Sequence, residues 1–175
     1  MNLPDKISAI KENYKEYKKL DNNARKLRLA AATMRNKGLE MHQRYISNFN
    51  AMETFMRANQ ITMEDLLNHG VDGMDAGTRK TLKTLSDNLI NMDYELNKMD
   101  QDVLNAYDKS IVALAKRQQA GGLTLLKSRA NFSKAISDAA QEQQRFLDKH
   151  NSKRAEDTQH RLLLNLCKSC FNDKN

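Results

Sequence analysis

Seven apolar residues, Leu82, Leu85, Leu89, Met92, Leu96, Met99 and Val103, follow one another at steps of 3, 4, 3, 4, 3 and 4. This is the heptad spacing that keeps one face of a helix turned toward a neighbour. No strand accommodates it, because strand side chains alternate with a period of two. Tyr107, Ile111 and Leu114 extend the face. A helix of about 40 residues is thereby specified, about 60 Å long at 1.5 Å per residue.

The rest of the chain reads by the same rule once its turns are located. Gly70, Gly73 and Gly77 cluster, Gly121 and Gly122 are adjacent, and Gly38 stands alone. Glycine weakens helix interiors by about 1 kcal/mol relative to Ala, so the two clusters predict two turns. The single proline, Pro4, sits where it starts a helix without losing a bond. Three long helices follow, at about 4–59, 78–120 and 123–170. The first carries a stripe from Ile7 through Ile10, Tyr14, Tyr17, Leu20, Ala24, Leu27, Ala31 and Met34, then Met41, Tyr45, Phe49, Met52 and Met56, with Gly38 in the vacant step. Its mean spacing is about 3.5, the coiled-coil period. Asp21-Asn22-Asn23 marks a place where it is open to interruption. The third stripe, Leu126, Ala130, Ser133, Ile136, Ala139, Gln143 and Leu147, is more polar.

In the first connection, Thr62-Met63-Glu64-Asp65 has the form of a capping box. A short helix is expected there, ending near His69-Gly70 and burying Ile61, Met63, Leu66 and Leu67. The fold class predicted is all-α: an elongated antiparallel bundle of three long coiled-coil-like helices, with a short helix in the first connection. Residues 1–147 form the bundle. Residues 148–175 form a polar helical extension ending in the apolar patch Leu162, Leu163, Leu164, Leu166, Cys167 and Phe171, which invites docking on this chain or another.

Charge is laid out in blocks. The net +7 resolves into +6 over residues 1–60, −6 over 61–108 and +7 over 109–175. An acidic second helix beside basic neighbours would choose its pairing by charge, while apolar burial holds it. The densest basic cluster is Lys15, Lys18, Lys19, Arg25, Lys26 and Arg28, and a second comprises Lys149, Lys153, Arg154 and Arg161. Clustered positive charge also suits phosphate backbones and anionic bilayers. Stacking aromatics, usual for single-stranded nucleic acid, are lacking here: Tyr14 and Tyr17 fall on the seam.

Chemical motifs are sparse. Cys167 and Cys170 form one C-x-x-C, with His150 and His160 upstream. In a helix, His160 and Cys167 stand about 10 Å apart along the axis, too far for one zinc ion with ligands at about 2.0 to 2.3 Å. Phosphate loops, nucleophile elbows and H-E-x-x-H do not occur. Asp72 and Asp75 flank Gly73 without the spacing of a calcium loop. Asp100 and Asp102 are a carboxylate pair of the kind helices expose to water.

The function expected is non-enzymatic, with no cofactor, metal or small-molecule substrate. It is a coiled-coil interaction, scaffold or adaptor protein, self-associating or binding another helical chain. Leu89, Met92, Leu96 and Met99 are the expected seam, and the six basic residues from Lys15 to Arg28 the electrostatic contact. Binding of nucleic acid through the basic segments is the alternative, and peripheral binding to anionic membranes the second. With no apolar run of membrane length and no leader at Met1-Asn2-Leu3-Pro4-Asp5, a cytoplasmic protein is expected, or one exported without a cleaved signal.

Overall fold

The structure, a computed structural model, describes residues 2–124, 129–156 and 158–172, with side chains for all of these except 122–124, 129, 130, 150–156 and 172. Five helices make up the described chain: α1 (Leu3–Ala58), α2 (Met63–His69), α3 (Ala76–Thr124), α4 (Arg129–Glu156) and α5 (Thr158–Asn172). The protein is all-α, with no strand among the described residues.

Local chemistry sets each boundary. Asn2 caps α1, its side-chain oxygen accepting the Asp5 N–H at 3.0 Å. The helix then runs unbroken through Asp21-Asn22-Asn23, against the interruption entertained from sequence. Asp21 does not compete for the backbone there, because its carboxylate accepts from Arg25 at 3.0 Å and Arg117 at 3.1 Å. At the far end Gln60 takes the left-handed conformation (φ 58°). The Ile61 N–H then reaches the Met56 carbonyl at 2.8 Å and the Gln60 N–H reaches Arg57 at 3.2 Å. This is a Schellman closure built on Gln instead of the usual Gly.

The capping box of α2 forms as read. Thr62 Oγ1 accepts the Asp65 N–H at 3.0 Å and the Asp65 carboxylate accepts the Thr62 N–H at 3.1 Å. The hydrogen bond with the Thr62 side chain, then that with its backbone, holds the Asp65 carboxyl below its ordinary value. Leu66 is buried, and Ile61 and Met63 pack half-buried against the core. Leu67 is 71% exposed, contrary to expectation, because it lies one residue round the helix from Leu66. Asp75 caps α3, accepting the Thr78 N–H at 2.7 Å, which lowers its pKa.

The second predicted turn is corrected. α3 continues through Gly121-Gly122 to Thr124. Gly121 serves a close approach: a Cβ there would lie 2.6 Å from Phe132 Cε2. Gly121→Ala therefore forces the Phe132 ring to move, and overpacking of this kind costs about 1–3 kcal/mol, more than the roughly 1 kcal/mol gained in helix propensity. A fall in the urea midpoint is expected; a rise would refute the close packing. The third predicted helix is α4 and α5, with position 157 outside the described residues.

The chain forms two compact units whose boundaries differ from those read in the sequence: residues 1–37 with 100–149, and residues 38–99 with 150–175. In unit 1, Tyr17 packs with Ala120 and Phe132, its ring edge-on to Phe132 at 6.3 Å. Ala24 packs with Ala113, Leu114 and Ala139. Numbers rise along α1 as they fall along α3 and rise along α4. Alanines at these positions let the helix backbones approach. In unit 2, Tyr45, Phe49, Met52 and Met56 of α1 meet Leu66 of α2, Leu82, Leu89 and Leu96 of α3, and Leu163, Leu164 and Cys167 of α5. The terminal apolar patch therefore docks on this chain, and Leu162 alone of its large residues points outward.

The buried row of α3 is offset from the one read in sequence. Leu82, Leu89, Leu96 and Val103 are buried, but so are Ser86, Asp100, Tyr107, Ser110 and Leu114, whereas Leu85, Met92 and Met99 are half-buried at the edge. Small polar residues fill the inward row that an apolar pattern omits. Ser110 Oγ donates to the Tyr107 carbonyl at 2.8 Å, so burial leaves it satisfied. Asp100 is buried, unlike its neighbour Asp102.

Candidate interaction surface

Of the expected seam, Leu89 and Leu96 are fully committed to the core of unit 2, with Met92 packed half-buried against it and Met99 half-buried. A partner reaches Leu89 or Leu96 only if that core opens. The basic cluster divides as well. Arg28 is half-buried and grips Glu142 with two bonds of 2.9 Å, and Arg35 joins the same carboxylate at 3.4 Å. Arg25 pairs with Asp21. Lys15, Lys18, Lys19 and Lys26 stand exposed, Lys18 lying over the Tyr14 ring at 5.6 Å. Asp21 on α1 and Glu142 on α4, both outside the acidic block, tie α1 to its neighbours in unit 1: Asp21 accepts from Arg117 of α3, and Glu142 from Arg28 and Arg35 of α1. In the second basic cluster Lys149 and Arg161 are exposed, and the side chains of Lys153 and Arg154 lie outside the described residues.

The free apolar surface lies elsewhere. Leu3 (69% exposed), Ile7 (46%), Ile10 (60%) and Tyr14 (42%) follow at steps of 4, 3 and 4 on α1. They are the front end of the stripe whose next member, Tyr17, is buried. Cover ends there for a simple reason. Tyr17 lies level with Ala120, and α3 has only four more residues to Thr124. Residues 3–13 of α1, a length of about 15 Å, lie beyond the described ends of α3 and α4. The other large exposed apolar residues among those described, Leu29, Leu67, Tyr94, Val112 and Leu162, are scattered. Single exposed residues of that kind are ordinary, whereas a contiguous row on one helix face is not. The sequence reading placed Ile7 to Tyr14 in the core because periodicity marks a face without showing whether anything covers it.

Unit 2 also holds the chemistry that sequence did not bring together. His160 Nε2 lies 2.9 Å from Glu53 Oε1, and the imidazole stacks on Phe49 at 4.1 Å and 13°. They border a pocket of about 270 Å³ with Met56, Arg57, Met63 and Leu163. A His and a carboxylate suffice for proton transfer, but the Cys167 thiol, two turns along α5 from His160, is ill-suited as a nucleophile. Burial pushes the Cys167 thiol up to about 11, opposed by the nearby Ser86 hydroxyl and assisted by Cys170. The half-buried Cys170 Sγ lies 3.7 Å from the Leu66 carbonyl. Both cysteines are free thiols on α5. The arrangement fastens the first turn of α5 to α1. At pH 8 iodoacetamide is expected to label Cys170 in the folded chain and Cys167 only after denaturation, read by peptide mass. Equal labelling would overturn the assignment of Cys167 to the core.

Among the described residues, no group of three or more His, Cys, Asp or Glu is placed to hold a metal ion, and no helix is long and apolar enough to cross a membrane. The class defined by fold and surface is an all-helical protein with an uncovered apolar row on its first helix. Comparison with protein-family models, with curated proteins and with solved structures returns no match.

Proposed function

We propose that the chain is a non-enzymatic helical interaction protein, a scaffold or adaptor, that binds a partner helix along the overhanging end of α1. One observation carries this reading: Leu3, Ile7, Ile10 and Tyr14 continue, at heptad spacing and exposed, a row whose members are buried or half-buried from Tyr17 onward. Full burial of an aliphatic side chain contributes about 1.5–3 kcal/mol. Three aliphatic residues and a tyrosine supply enough for a reversible complex after the cost of association. The architecture we infer behind it is an antiparallel, coiled-coil-like packing of α1, α3 and α4 in unit 1. Leu89 and Leu96 serve that scaffold from within, by building unit 2.

Lys15, Lys18, Lys19 and Lys26 also support a second reading, electrostatic contact with nucleic acid or an anionic bilayer, since all four are exposed. Light-scattering mass at low and high salt, with the 260 nm absorbance recorded, separates the two. Partner binding by the row predicts a mass and absorbance ratio that do not change with salt. Excess 260 nm absorbance that is lost in high salt would replace the leading reading with the second.

A further inference from the structure

We infer that the helix received by the α1 overhang belongs to a different chain and carries carboxylates along both edges of its apolar face; this rests on the reading of the row as an interaction surface. The residues flanking the row decide the chemistry. Taking Ile7 and Ile10 as core positions, the edge positions are Lys6 and Asn13 on one side and Lys11 and Lys18 on the other, and the three lysines are exposed. Edge residues set partner choice in paired helices, because they meet across the interface. A second copy laid parallel and in register would face Lys6 with Lys11. Laid antiparallel, it would set Lys11 and Lys18 against each other. Like charges meet in both orientations, so the row disfavours itself as a partner.

The same helix shows what it accepts. Arg28 and Arg35, one heptad apart on α1, converge on the single carboxylate of Glu142 from the helix packed against them. Lys11 and Lys18 are also one heptad apart and exposed, Lys11 beyond the described ends of α3 and α4 and Lys18 next to the buried Tyr17, and they present the same demand to a helix that packs on the row. A helix with Glu or Asp at its edges and Leu, Ile or Met between them meets it. The row is also narrow, two residues per heptad, which suits a facing helix; a helix lying in a bilayer presents a wider apolar face.

The test uses two labelled 21-residue amphipathic peptides with the same Ile/Leu core positions, one with Glu at every edge position and one with Lys, titrated with the full chain and read by fluorescence anisotropy. The Glu peptide is expected to bind about tenfold more tightly than the Lys peptide. That preference should invert in Lys6→Glu/Lys11→Glu/Lys18→Glu, whose exposed substitutions leave the circular dichroism unchanged. Ile7→Ser/Ile10→Ser, which alters no charge, should abolish binding of both peptides. Equal affinities, or a preference that does not invert, would overturn the inference about charge; if Ile7→Ser/Ile10→Ser still abolished binding, the row would stand as an interaction surface. A wild-type dimer dissociated by Ile7→Ser/Ile10→Ser would identify a second copy as the occupant and overturn it too. Failure of both peptides, with cosedimentation on 3:1 phosphatidylcholine/phosphatidylglycerol vesicles that needs Ile7 and Ile10, would overturn both readings in favour of a membrane.

Discussion

Phe49→Ala is expected to lower stability by about 3–5 kcal/mol, the usual cost of truncating a buried aromatic. Phe49 is fully buried on α1, edge-on to Tyr45 at 4.9 Å and stacked under His160 at 4.1 Å. It is one of the residues through which α5 and α1 meet, so its removal takes core volume and the platform for the His160–Glu53 contact together. Urea denaturation followed by circular dichroism should show the loss in the transition of unit 2. Tyr94→Ala, at a strongly exposed site, should stay within about 0.5 kcal/mol. A Phe49→Ala loss below about 1 kcal/mol would mean that unit 2 is not packed as described.

Glu142→Ala is the counterpart in unit 1, with an expected loss of about 1.5–3 kcal/mol. One carboxylate there receives Arg28 twice at 2.9 Å, Arg35 at 3.4 Å and the Tyr107 hydroxyl at 3.3 Å. The ion-paired side chains are each about 30% exposed, so the effect is smaller than for a fully buried pair. Tyr107 gives an independent readout. Burial pushes its phenol above the ordinary value of 10.0, Arg35 opposes and Glu142 assists. Its contribution to stability is complete below the unfolded pKa and is lost as pH rises through the higher folded value. The Tyr107 phenol should therefore ionise late at 295 nm in the wild type, and earlier in Glu142→Ala. An unchanged titration would place Tyr107 outside the network.

Helices were legible wherever a pattern is local. The Leu82–Val103 spacing, Pro4 at the start of α1 and the Thr62–Asp65 box each report on residues within a turn or two, and each corresponds to a helix or its end. What escaped depended on distance along the chain. Gly121 looked like a turn because glycine usually makes one, and only Phe132, eleven residues on, shows that it is a gap for a ring. Ser86 and Ser110 are polar by type and buried by position, so an apolar stripe steps over them. Glu53 and His160 are 107 residues apart and carry no shared signal. The basic cluster was visible as charge, yet the division between Arg28, held by Glu142, and Lys15, left in solvent, requires the position of α4. The end of α3 at Thr124 bears on which part of α1 that helix leaves uncovered, and glycine placement alone set that end too early.

The most direct test of the proposed surface places a photo-crosslinking amino acid at Ile10 and, in a second variant, at Leu67, which is as exposed but isolated on α2. Both are expressed in the cells that make the protein and irradiated. A discrete protein adduct, resistant to nuclease, is expected at position 10, and none at position 67. Equal adducts at both positions, or an adduct at position 10 that nuclease removes, would contradict the proposed surface.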